Sequence, residues 1–571
     1  MDDKLLLPLL LKLCYVAAVF GGMVQAAGHL GSLGATSGQT GNLLRMGRRI
    51  SQGAPVLSGQ MAFDARDWKL AFSDFNMMLY FTVGNFVGGL WTCVEERKTM
   101  RTAGNALICS GLCVFLAGGM MYPKDDTLNL REASQLLCFA MGLMNAALVT
   151  TSGYANTVTT TGTLTDVGLL LGKLVNVDHR TADAFTKVVS LSLLASCFIF
   201  GSFLGGVVFY KSDLLVGARQ QTFFALSVPA CGLVLLGSAM VLRGRLAEMP
   251  SPEEEPLVAK PAPVQNAKPA APAQLPSRFI GGAYLASLCA GMVDDGAYDL
   301  LGQHTPTHVT GPSVRLGVHA ASVMLRGKEQ AEFRAYAKLV ALFLCGATLS
   351  GMVVRSTKRV THFTASVTVI FVGVVLLCAC FVHSYVPEIR TEMHAICGMS
   401  MGLQNGVITA VTGFARTTHV TGNLTNVGIC LAQATIPGKA TPALLFKLKA
   451  NTILALAFMT GIVAQESIWR ITMGPDPEIF RLRFLLLPAV VLVLVGLGVL
   501  LSDADAKRIS RPGETEADSK EEDRRVSRVA TAGGITDDIS LVGSDLAIKS
   551  EDVIESELPI AADTESDGGV A

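Results

Sequence analysis

Stretches of about 20 mainly apolar residues, the length of helix that crosses the hydrocarbon core of a bilayer, recur along most of the 571-residue chain. Short polar segments separate them. The pattern therefore predicts an all-α integral membrane protein with about twelve transmembrane helices, six in each half of the chain. The stretches lie near residues 5–28, 71–94, 103–122, 132–154, 185–209, 221–242, 279–301, 335–355, 363–385, 393–414, 442–465 and 481–501.

Two segments without this apolar pattern divide the chain. Residues 249–277 are rich in Pro and Ala and predict an extended, disordered linker. Residues 502–571 are acidic, lack aromatic side chains and predict a disordered tail. The membrane part is thereby divided into two six-span modules, residues 1–248 and 278–501. In the tail, Ser527 follows an Arg-Arg-Val sequence and fits a basophilic-kinase site, although an unmodified soluble tail explains this segment equally well.

Composition favours a lipid environment for the body of the chain. Half of all residues are hydrophobic and 16% are charged, against roughly 25% charged residues in an average soluble domain. The net charge of zero conceals two opposite charges. The tail has 18 Asp and Glu against 8 Lys and Arg, which leaves 28 and 38 for the remainder, so the two parts carry −10 and +10.

A Thr-Gly-x5-Gly element occurs four times, at 40–47, 161–168, 310–317 and 421–428. A Gly-[Met/Leu]-x-polar tetrad precedes each element, and its first Gly lies 18 residues before the Thr in the first unit and 19 in the others. This constant spacing indicates a fourfold internal duplication. Because each unit contains three predicted spans, successive units should enter the membrane from opposite sides. Each half is therefore predicted to be a 3+3 inverted repeat.

The run GLQNGVITAVTGFARTTHVTGNLTNVG at 402–428 resembles the YoaK-type family, and the corresponding residues of the other three units do so more weakly. That family consists of uncharacterised multi-pass membrane proteins, typically with one six-span module. The resemblance covers most of both modules and implies a topology rather than an activity. The first tetrad of such modules usually has an acid, as Asp294 is in the second half, whereas Gln25 stands there in the first half.

The polar residues of the four tetrads, Gln25, Asn145, Asp294 and Asn405, lie inside apolar stretches. An unpartnered polar group in a bilayer costs several kcal/mol by rough estimate, so each must face another polar group, water or a ligand. Interhelical hydrogen bonds explain Asn145 and Asn405 as well as ligand binding does. For Asp294 we favour a functional role, because a carboxylate within the membrane is a functional candidate by default.

The Thr-Gly elements place glycine and hydroxyl groups where a span ends or breaks. Backbone groups that are freed at such a break can coordinate a solute or ion. A tight turn with packing of small residues is an equally good explanation. The residues concerned are Thr40, Gly41, Asn42, Thr161, Gly162, Thr310, Gly311, Thr421, Gly422 and Asn423.

Five residues after each Thr, the odd units carry Arg45 and Arg315, whereas the even units carry Asp166 and Asn426. Inverted symmetry predicts that Arg45 and Asp166 form a pair near the centre of the first module. The matching pair of Arg315 and Asn426 would leave one positive charge, which favours an anionic ligand. The alternative is that the arginines simply extend to the membrane interface.

No motif typical of an enzyme, a cofactor site or a metal site occurs in a credible context. We therefore interpret the chain as a transporter-like protein, not an enzyme, that moves a small solute or ion without cofactor or metal. The alternative is a non-transporting sensor or scaffold that signals through the acidic tail. The expected partners are the lipid bilayer and a small solute or ion, with no nucleic acid.

Basic residues near 97–101 and 355–359 favour a cytoplasmic location for both termini and the linker. Arg45, Arg48 and Arg49 oppose this orientation unless they belong to a re-entrant segment.

Overall fold

Sixteen α-helices make up the part of the chain that the computed structural model describes. The described residues are 3–31, 39–53, 65–94, 100–121, 127–152, 159–175, 180–216, 220–248, 277–298, 306, 309–354, 362–385, 390–412, 416–472 and 485–509. The helices of the first half are α1 (Asp3–Leu30), α2 (Gln39–Gly53), α3 (Ala65–Val94), α4 (Met100–Met120), α5 (Thr127–Ser152), α6 (Thr160–Leu174), α7 (Ala182–Val216) and α8 (Gln221–Glu248). Those of the second half are α9 (Ser277–Tyr298), α10 (Thr310–Arg326), α11 (Gln330–Val353), α12 (His362–Tyr385), α13 (Arg390–Thr412), α14 (Val420–Thr435), α15 (Pro442–Thr472) and α16 (Leu486–Ile509).

The helices form four successive groups of four, one for each repeat unit, in the order long, short, long, long. Within the described ranges, the twelve long helices coincide with the twelve predicted stretches, which confirms the 6+6 architecture. Seven of these are long and apolar enough to cross a membrane on length and composition, and α12 and α16 contain shorter apolar segments. The chain is a multi-pass integral membrane protein. The linker between Glu248 and Ser277, the tail beyond Ile509 and the predicted phosphorylation site Ser527 lie outside the described residues.

The four short helices, α2, α6, α10 and α14, each begin at a Thr-Gly element. They contain 15 to 17 residues, which at 1.5 Å per residue is about 23–26 Å. The hydrocarbon core of a bilayer is roughly 30 Å thick, so a short helix does not cross it alone. Each group therefore has three spans and one short helix whose first turn is largely buried in the protein.

Successive groups run in opposite directions, as α9 and α15 illustrate. The Ser287 hydroxyl donates to the carbonyl oxygen of Leu454, and one turn further along both helices Gly291 packs on the carbonyl oxygen of Phe458. The two helices are therefore parallel. The long helices of the second half follow one another in the order α9, α11, α12, α13, α15 and α16, and each crosses the membrane in the direction opposite to the one before it. This alternation makes α9 and α15 parallel, as observed, and it makes α9 and α13 antiparallel. Since α9 and α13 are the first helices of their groups, the two groups are inverted.

The first Gly of each tetrad lies at a close crossing of two long helices. A Cβ on Gly22 of α1 would overlap the carbonyl oxygen of Phe198 in α7, and a Cβ on Gly201 of α7 would overlap that of Val19 in α1. Small residues let two backbones approach in this way, and a side chain would force them apart. Equivalent crossings join α3 to α5 at Gly84 and Gly142, α9 to α15 at Gly291 and Gly461, and α11 to α13 at Gly346 and Gly402.

The short helices join the two halves of the chain. Helix α2 packs on α3 of its own half and on α15 of the other, and α14 packs on α15 and on α3. In the same way, α6 packs on α7 and α11, and α10 packs on α11 and α7. Each half thus completes the packing of the other, although the two are separate modules in the sequence.

Candidate functional site at the starts of the short helices

The first turns of α6 and α10 cap each other through two threonines. The Thr161 hydroxyl accepts hydrogen bonds from the backbone N–H groups of Val309 and Thr310, both at 3.1 Å. The Thr310 hydroxyl accepts from the N–H groups of Thr160 and Thr161, at 3.2 and 3.3 Å. All four residues are buried. The first N–H groups of an α-helix have no partner within the helix, so each helix supplies the acceptor that the other needs.

The starts of α2 and α14 meet in an equivalent way. The Gln39 N–H group donates to the Thr421 hydroxyl at 2.9 Å, which matches the bond from Thr160 to Thr310. The Gln39 side chain accepts a hydrogen bond from Asn42 at 2.9 Å, and Thr40 between them is buried. Threonines of the Thr-Gly elements therefore bond across the boundary between the two halves.

The tetrad asparagines make a second pair of equivalent contacts between the halves. Asn145 of α5 donates to the Thr425 hydroxyl of α14 at 3.0 Å, and Asn405 of α13 donates to the Thr165 hydroxyl of α6 at 2.8 Å. The Asn405 carbonyl oxygen also accepts from the Thr418 N–H group at 3.3 Å. Both asparagines are fully buried. Their hydrogen bonds give them a role in joining helices.

An ion pair lies where α6 and α14 begin. Arg416, four residues before α14, places its Nη2 2.7 Å from Oδ2 of Asp166 in α6. The two side chains retain 26% and 30% of their exposure. Gly162 makes room for this arginine, because a Cβ there would overlap the guanidinium group and crowd the ring of His419. Gly422 in turn packs directly on that ring. These two glycines are therefore required by neighbouring side chains.

The segment before α14 contributes further polar groups. His419 Nε2 lies 3.4 Å from the Thr159 hydroxyl, and the Asn423 side chain donates to the Arg416 carbonyl oxygen at 3.1 Å. Thr418 is fully buried, and its hydroxyl has no hydrogen-bond partner among the described residues. This hydroxyl can therefore serve an additional group without giving up a contact.

The predicted Arg45–Asp166 pair is wrong. Arg45 Nε lies 3.3 Å from Oδ1 of Asp74 in α3, Arg49 binds the second oxygen of the same carboxylate, and Asp166 binds Arg416. The physical reason is that the two short helices of the first half pack on different helices. Helix α2 packs on α3 and α15, whereas α6 packs on α7 and α11, so Arg45 and Asp166 have different neighbours.

The predicted Arg315–Asn426 pair is wrong for the same reason. Arg315 donates to the Tyr336 hydroxyl of α11 at 2.9 Å, and Asn426 donates to Asn451 of α15 at 3.4 Å. The pairing on which the expectation of an anionic ligand near Arg315 was based is therefore not formed.

The four remaining predicted residues lie in α1, α9, α2 and α10. Gln25 and Asp294, the tetrad residues of the odd groups, are buried in α1 and α9. Gly41 and Gly311 lie half-buried in the first turns of α2 and α10.

We refer to the assembly around the starts of the short helices as the central polar cluster. It comprises residues 39–42, 159–166, 309–313 and 416–425 with the side chains of Asn145 and Asn405. Sequence reasoning missed Arg416, Thr165 and Thr425. The two threonines could have been found four residues after Thr161 and Thr421, whereas Arg416 has no basic counterpart in the other units.

Chemically, the central polar cluster offers hydroxyl and amide hydrogen-bonding groups, one histidine and a paired positive and negative charge. Within the described residues, no group of three or more His, Cys, Asp or Glu side chains is arranged to hold a metal ion. Two cavities lie away from the cluster and have mainly apolar linings. One is bordered by Ala283, Val369 and Val495 and the other by Phe200 and Phe333.

Twelve long helices in two halves, each half made of two inverted groups, define a multi-pass helical membrane protein with internal repeats. The family model described as "Protein of unknown function (DUF1275)" matches residues 13–237 and 282–503. The chain belongs to this family and contains two tandem copies of its module. This finding confirms the two-module family resemblance. Comparison with curated proteins gives no match.

Solved structures with some similarity include two transporters. One is a bacterial homologue of the human lysosomal transporter Spinster, at 13% identity and a TM-score of 0.37, with 86% of this chain and 97% of that chain covered. The other is the Major Facilitator Superfamily transporter FucP in its outward conformation, at 10% identity and a TM-score of 0.37, with 86% and 98% covered. Likeness of this degree assigns no function.

Proposed function

We propose that the chain is a transporter-like membrane protein that binds a small solute with an anionic group in the central polar cluster. The observation that carries the proposal is the meeting of short-helix starts from both halves around Arg416, Asp166 and His419. Interrupted helices that end inside a membrane protein are a recurring way of building a solute site.

The electrostatics of this region favour an anion. The N-terminal end of an α-helix carries a partial positive charge of roughly half an elementary charge, and the cluster contains the starts of α2, α6, α10 and α14. A phosphate or carboxylate is stabilised at such an end. Arg416 adds a planar guanidinium group, which suits bidentate recognition of either anion.

Asp166 acts as the internal competitor of the solute in this proposal. Its carboxylate oxygen Oδ2 lies 2.7 Å from Nη2 of Arg416, in the place that the carboxylate or phosphate of a bound solute would take. Both side chains are about a quarter to a third exposed, so exchange of one carboxylate for another does not require a fully buried charge to be stranded. The neighbouring Thr418 hydroxyl is available to the incoming solute.

Movement of the solute would follow from rearrangement of the two halves. Because the cluster combines groups from both halves, a change in their relative position opens or closes it. Alternating access by motion of one repeat against another is the behaviour expected of proteins built from inverted repeats.

The test is a thermal-stability screen of the purified full-length protein with inorganic phosphate, sulfate and short mono- and dicarboxylates. At least one of these anions should raise the unfolding midpoint of the wild type. Arg416→Gln should abolish this effect. Asp166→Asn should give the same effect at a lower anion concentration, because the competitor is removed. Asp183→Asn, which breaks the exposed pair with Lys187, is the matched control and should leave it unchanged.

A second pair of variants separates binding from folding. Thr418→Val removes a hydroxyl without a described partner, whereas Thr417→Val removes one that accepts from Gln404 at 3.3 Å. We expect Thr418→Val to keep wild-type stability and to weaken the anion effect. Uptake of the stabilising anion into liposomes should then be lost in Arg416→Gln and reduced in Thr418→Val. A stabilising anion that acts equally on wild type, Arg416→Gln and Asp183→Asn would refute this site.

A further inference from the structure

Two arginines of α2 share a single carboxylate of α3. Arg45 Nε lies 3.3 Å from Oδ1 of Asp74, and Arg49 Nη1 lies 2.5 Å from Oδ2 of the same side chain. Arg49 also donates to the carbonyl oxygen of Leu70 at 3.1 Å, and Arg45 donates to the side-chain oxygen of Asn42. The two arginines and their shared carboxylate together carry one net positive charge.

The two guanidinium groups are partly accessible, whereas the carboxylate between them is buried. The side chains of Arg45 and Arg49 are 29% and 26% exposed, and that of Asp74 is 2% exposed. Contact of a charged side chain with lipid tails is costly, so the accessible parts of the two arginines mark a surface that water reaches. An ion in that water meets the positive groups first, because the negative group lies behind them.

This surface adjoins the central polar cluster on one side of it. Asn42, which accepts from Arg45, donates to the Gln39 side chain, and the Gln39 N–H group donates to Thr421 of α14. Helix α2 leads from the cluster to the start of α3, the second crossing of its half. With six crossings in each half, α3 starts on the membrane face opposite to the linker. Arg45 and Arg49 therefore lie between that face and the cluster.

The second half has an equivalent contact between α10 and α11. Arg315 donates to the Tyr336 hydroxyl at 2.9 Å, and the ring of His319 stacks on that of Tyr336 with centroids 5.2 Å apart. By their distances from the Thr-Gly element and from the crossing glycine, these three residues correspond to Arg45, Asp74 and Arg49. Both odd short helices thus place basic side chains at the same level, and in α11 a neutral tyrosine takes the position of the carboxylate.

The basic side chains of α2 and α10 approach each other at the end of α1. His29 of α1 is close enough to both Arg45 and Arg315 for their charges to act on it. In the even short helices, α6 and α14, Asp166 and Asn426 stand at the position of these arginines. Positive charge at this position is therefore confined to the two short helices that lead to the face opposite to the linker.

Three further acidic side chains lie beside the contact of α2 with α9 and α15, and all of them are buried. Asp294, Asp295 and Glu466 are 0%, 4% and 2% exposed, and the last two pair with Arg48. They therefore do not line the accessible surface on the α3 side of α2. On that side, the first turns of α3 add one further positive charge through Arg66, Asp67 and Lys69.

We infer that Arg45 and Arg49, with Arg315 of the other half, form a positively charged entrance that draws small anions toward the central polar cluster from the face opposite to the linker. A surface lined by one sign of charge raises the local concentration of the opposite ion and speeds its association. Asp74 offsets one of the two charges on α2, so the entrance attracts an anion without retaining it. That the anion then reaches Arg416 rests on the proposed function, whereas the positive potential does not.

Charged thiol reagents measure this potential in the full-length protein without any solute. Gln52 is half-buried and lies seven residues after Arg45, on the same side of α2, so the variant Gln52→Cys reports on the entrance. At low ionic strength, an anionic methanethiosulfonate should modify this position faster than a cationic one, relative to their rates with a free thiol. The readout is the mass of the peptide that contains residue 52, which separates it from the native cysteines.

Arg49→Gln in the Gln52→Cys background should lower the ratio of the anionic to the cationic rate. A unit charge about 8 Å away in water changes the two rates about 2.4-fold in opposite directions, which gives about a sixfold change in their ratio. Asp74→Asn should raise the ratio by a similar factor, and Arg49→Lys should preserve it. The effect should fade in 1 M salt, where the Debye length is about 3 Å.

The matched control is Arg180→Gln, which removes an exposed arginine that donates to Leu174 at the end of α6, toward the linker face. It should leave the ratio unchanged. A ratio equal to that of the free thiol, or one that responds equally to Arg49→Gln and Arg180→Gln, would overturn the entrance. Asp74→Asn shifts the charge in the opposite direction and decides the question if Arg49→Gln does not fold. Failure of anions to stabilise the protein would refute the central site and leave these rates unaffected.

Discussion

Replacing Thr161 by valine removes one hydroxyl oxygen and leaves the shape of the side chain almost unchanged. That oxygen is the acceptor for the N–H groups of Val309 and Thr310, whose residues are 0% and 2% exposed. A buried donor left without a partner costs about 1–3 kcal/mol, so two donors cost about 2–6 kcal/mol. Measured losses of about 0.5–2 kcal/mol for single helix caps place the expected value toward the lower end, because helix ends relax.

Thr310→Val should have a similar cost, since the Thr310 hydroxyl serves the N–H groups of Thr160 and Thr161. The double variant should cost less than the sum of the single ones. The two hydroxyls are 2.9 Å apart and bond to each other, so each single variant also deprives the other hydroxyl of a partner.

The assay is the thermal unfolding midpoint of the purified protein, with Thr163→Val as the matched control. Thr163 is buried in the same helix, but among the described residues its hydroxyl donates locally, to the carbonyl oxygen of Thr159 directly before α6, at 3.1 Å. We expect this control to unfold near the wild-type midpoint. If Thr161→Val behaves like Thr163→Val, the threonines do not hold the two halves together, and the structural interpretation of the Thr-Gly elements fails.

Three further predictions use other parts of the molecule. The two halves, expressed as separate chains divided within 249–277, should co-purify when produced together and aggregate when produced alone, because the short helices of each half pack on the other half. A single half that is stable alone would contradict this. Gly162→Ala should displace Arg416 and abolish anion stabilisation, whereas Gly119→Ala, where a Cβ meets nothing within 4 Å, should leave it intact. Cysteines at Ser251 and Ser519 should both resist impermeant thiol reagents in intact cells, and labelling of one alone would refute the shared cytoplasmic side.

The helical architecture could be predicted because its signals are local. A span needs about 20 apolar residues, and each predicted stretch became a long helix. The repeats also marked the correct places, since all four Thr-Gly elements open a short helix. The signal in the tetrads was partly misread: their glycines, which the sequence argument used only to measure spacing, lie at the helix crossings within each half.

The partners of the charged residues could not be predicted in the same way. Internal repeats identify which positions are equivalent, but not which copies are neighbours. Arg45 and Asp166 occupy equivalent positions and yet bind Asp74 and Arg416, because the short helices pack on the opposite half. The repeat could not indicate Arg416 at all, since no other unit has a basic residue five positions before its Thr.

The arginines on α2 also change how orientation is read from the sequence. Arg45 and Arg49 bind Asp74, and Arg48 binds Asp295 and Glu466. They lie on a short helix and pair with carboxylates of three other helices, so they do not count among the loop charges that set topology. The objection to a cytoplasmic N-terminus therefore loses its force, and the basic residues near 97–101 and 355–359 remain as support for the predicted orientation.

The contacts that repeat and those that do not differ in kind. Close glycine crossings occur in all four groups, because every copy of the unit needs them to pack. Asparagine–threonine bonds occur in the second and fourth groups, where each joins one half to the other. Charged contacts such as Arg416 with Asp166 and Arg48 with Asp295 and Glu466 have no symmetric counterpart at the equivalent positions. A fold assembled from copies does not require them, and burying charge is costly. Retaining the Arg416–Asp166 pair therefore needs a reason beyond packing, and the proposed binding of an anionic solute would supply one.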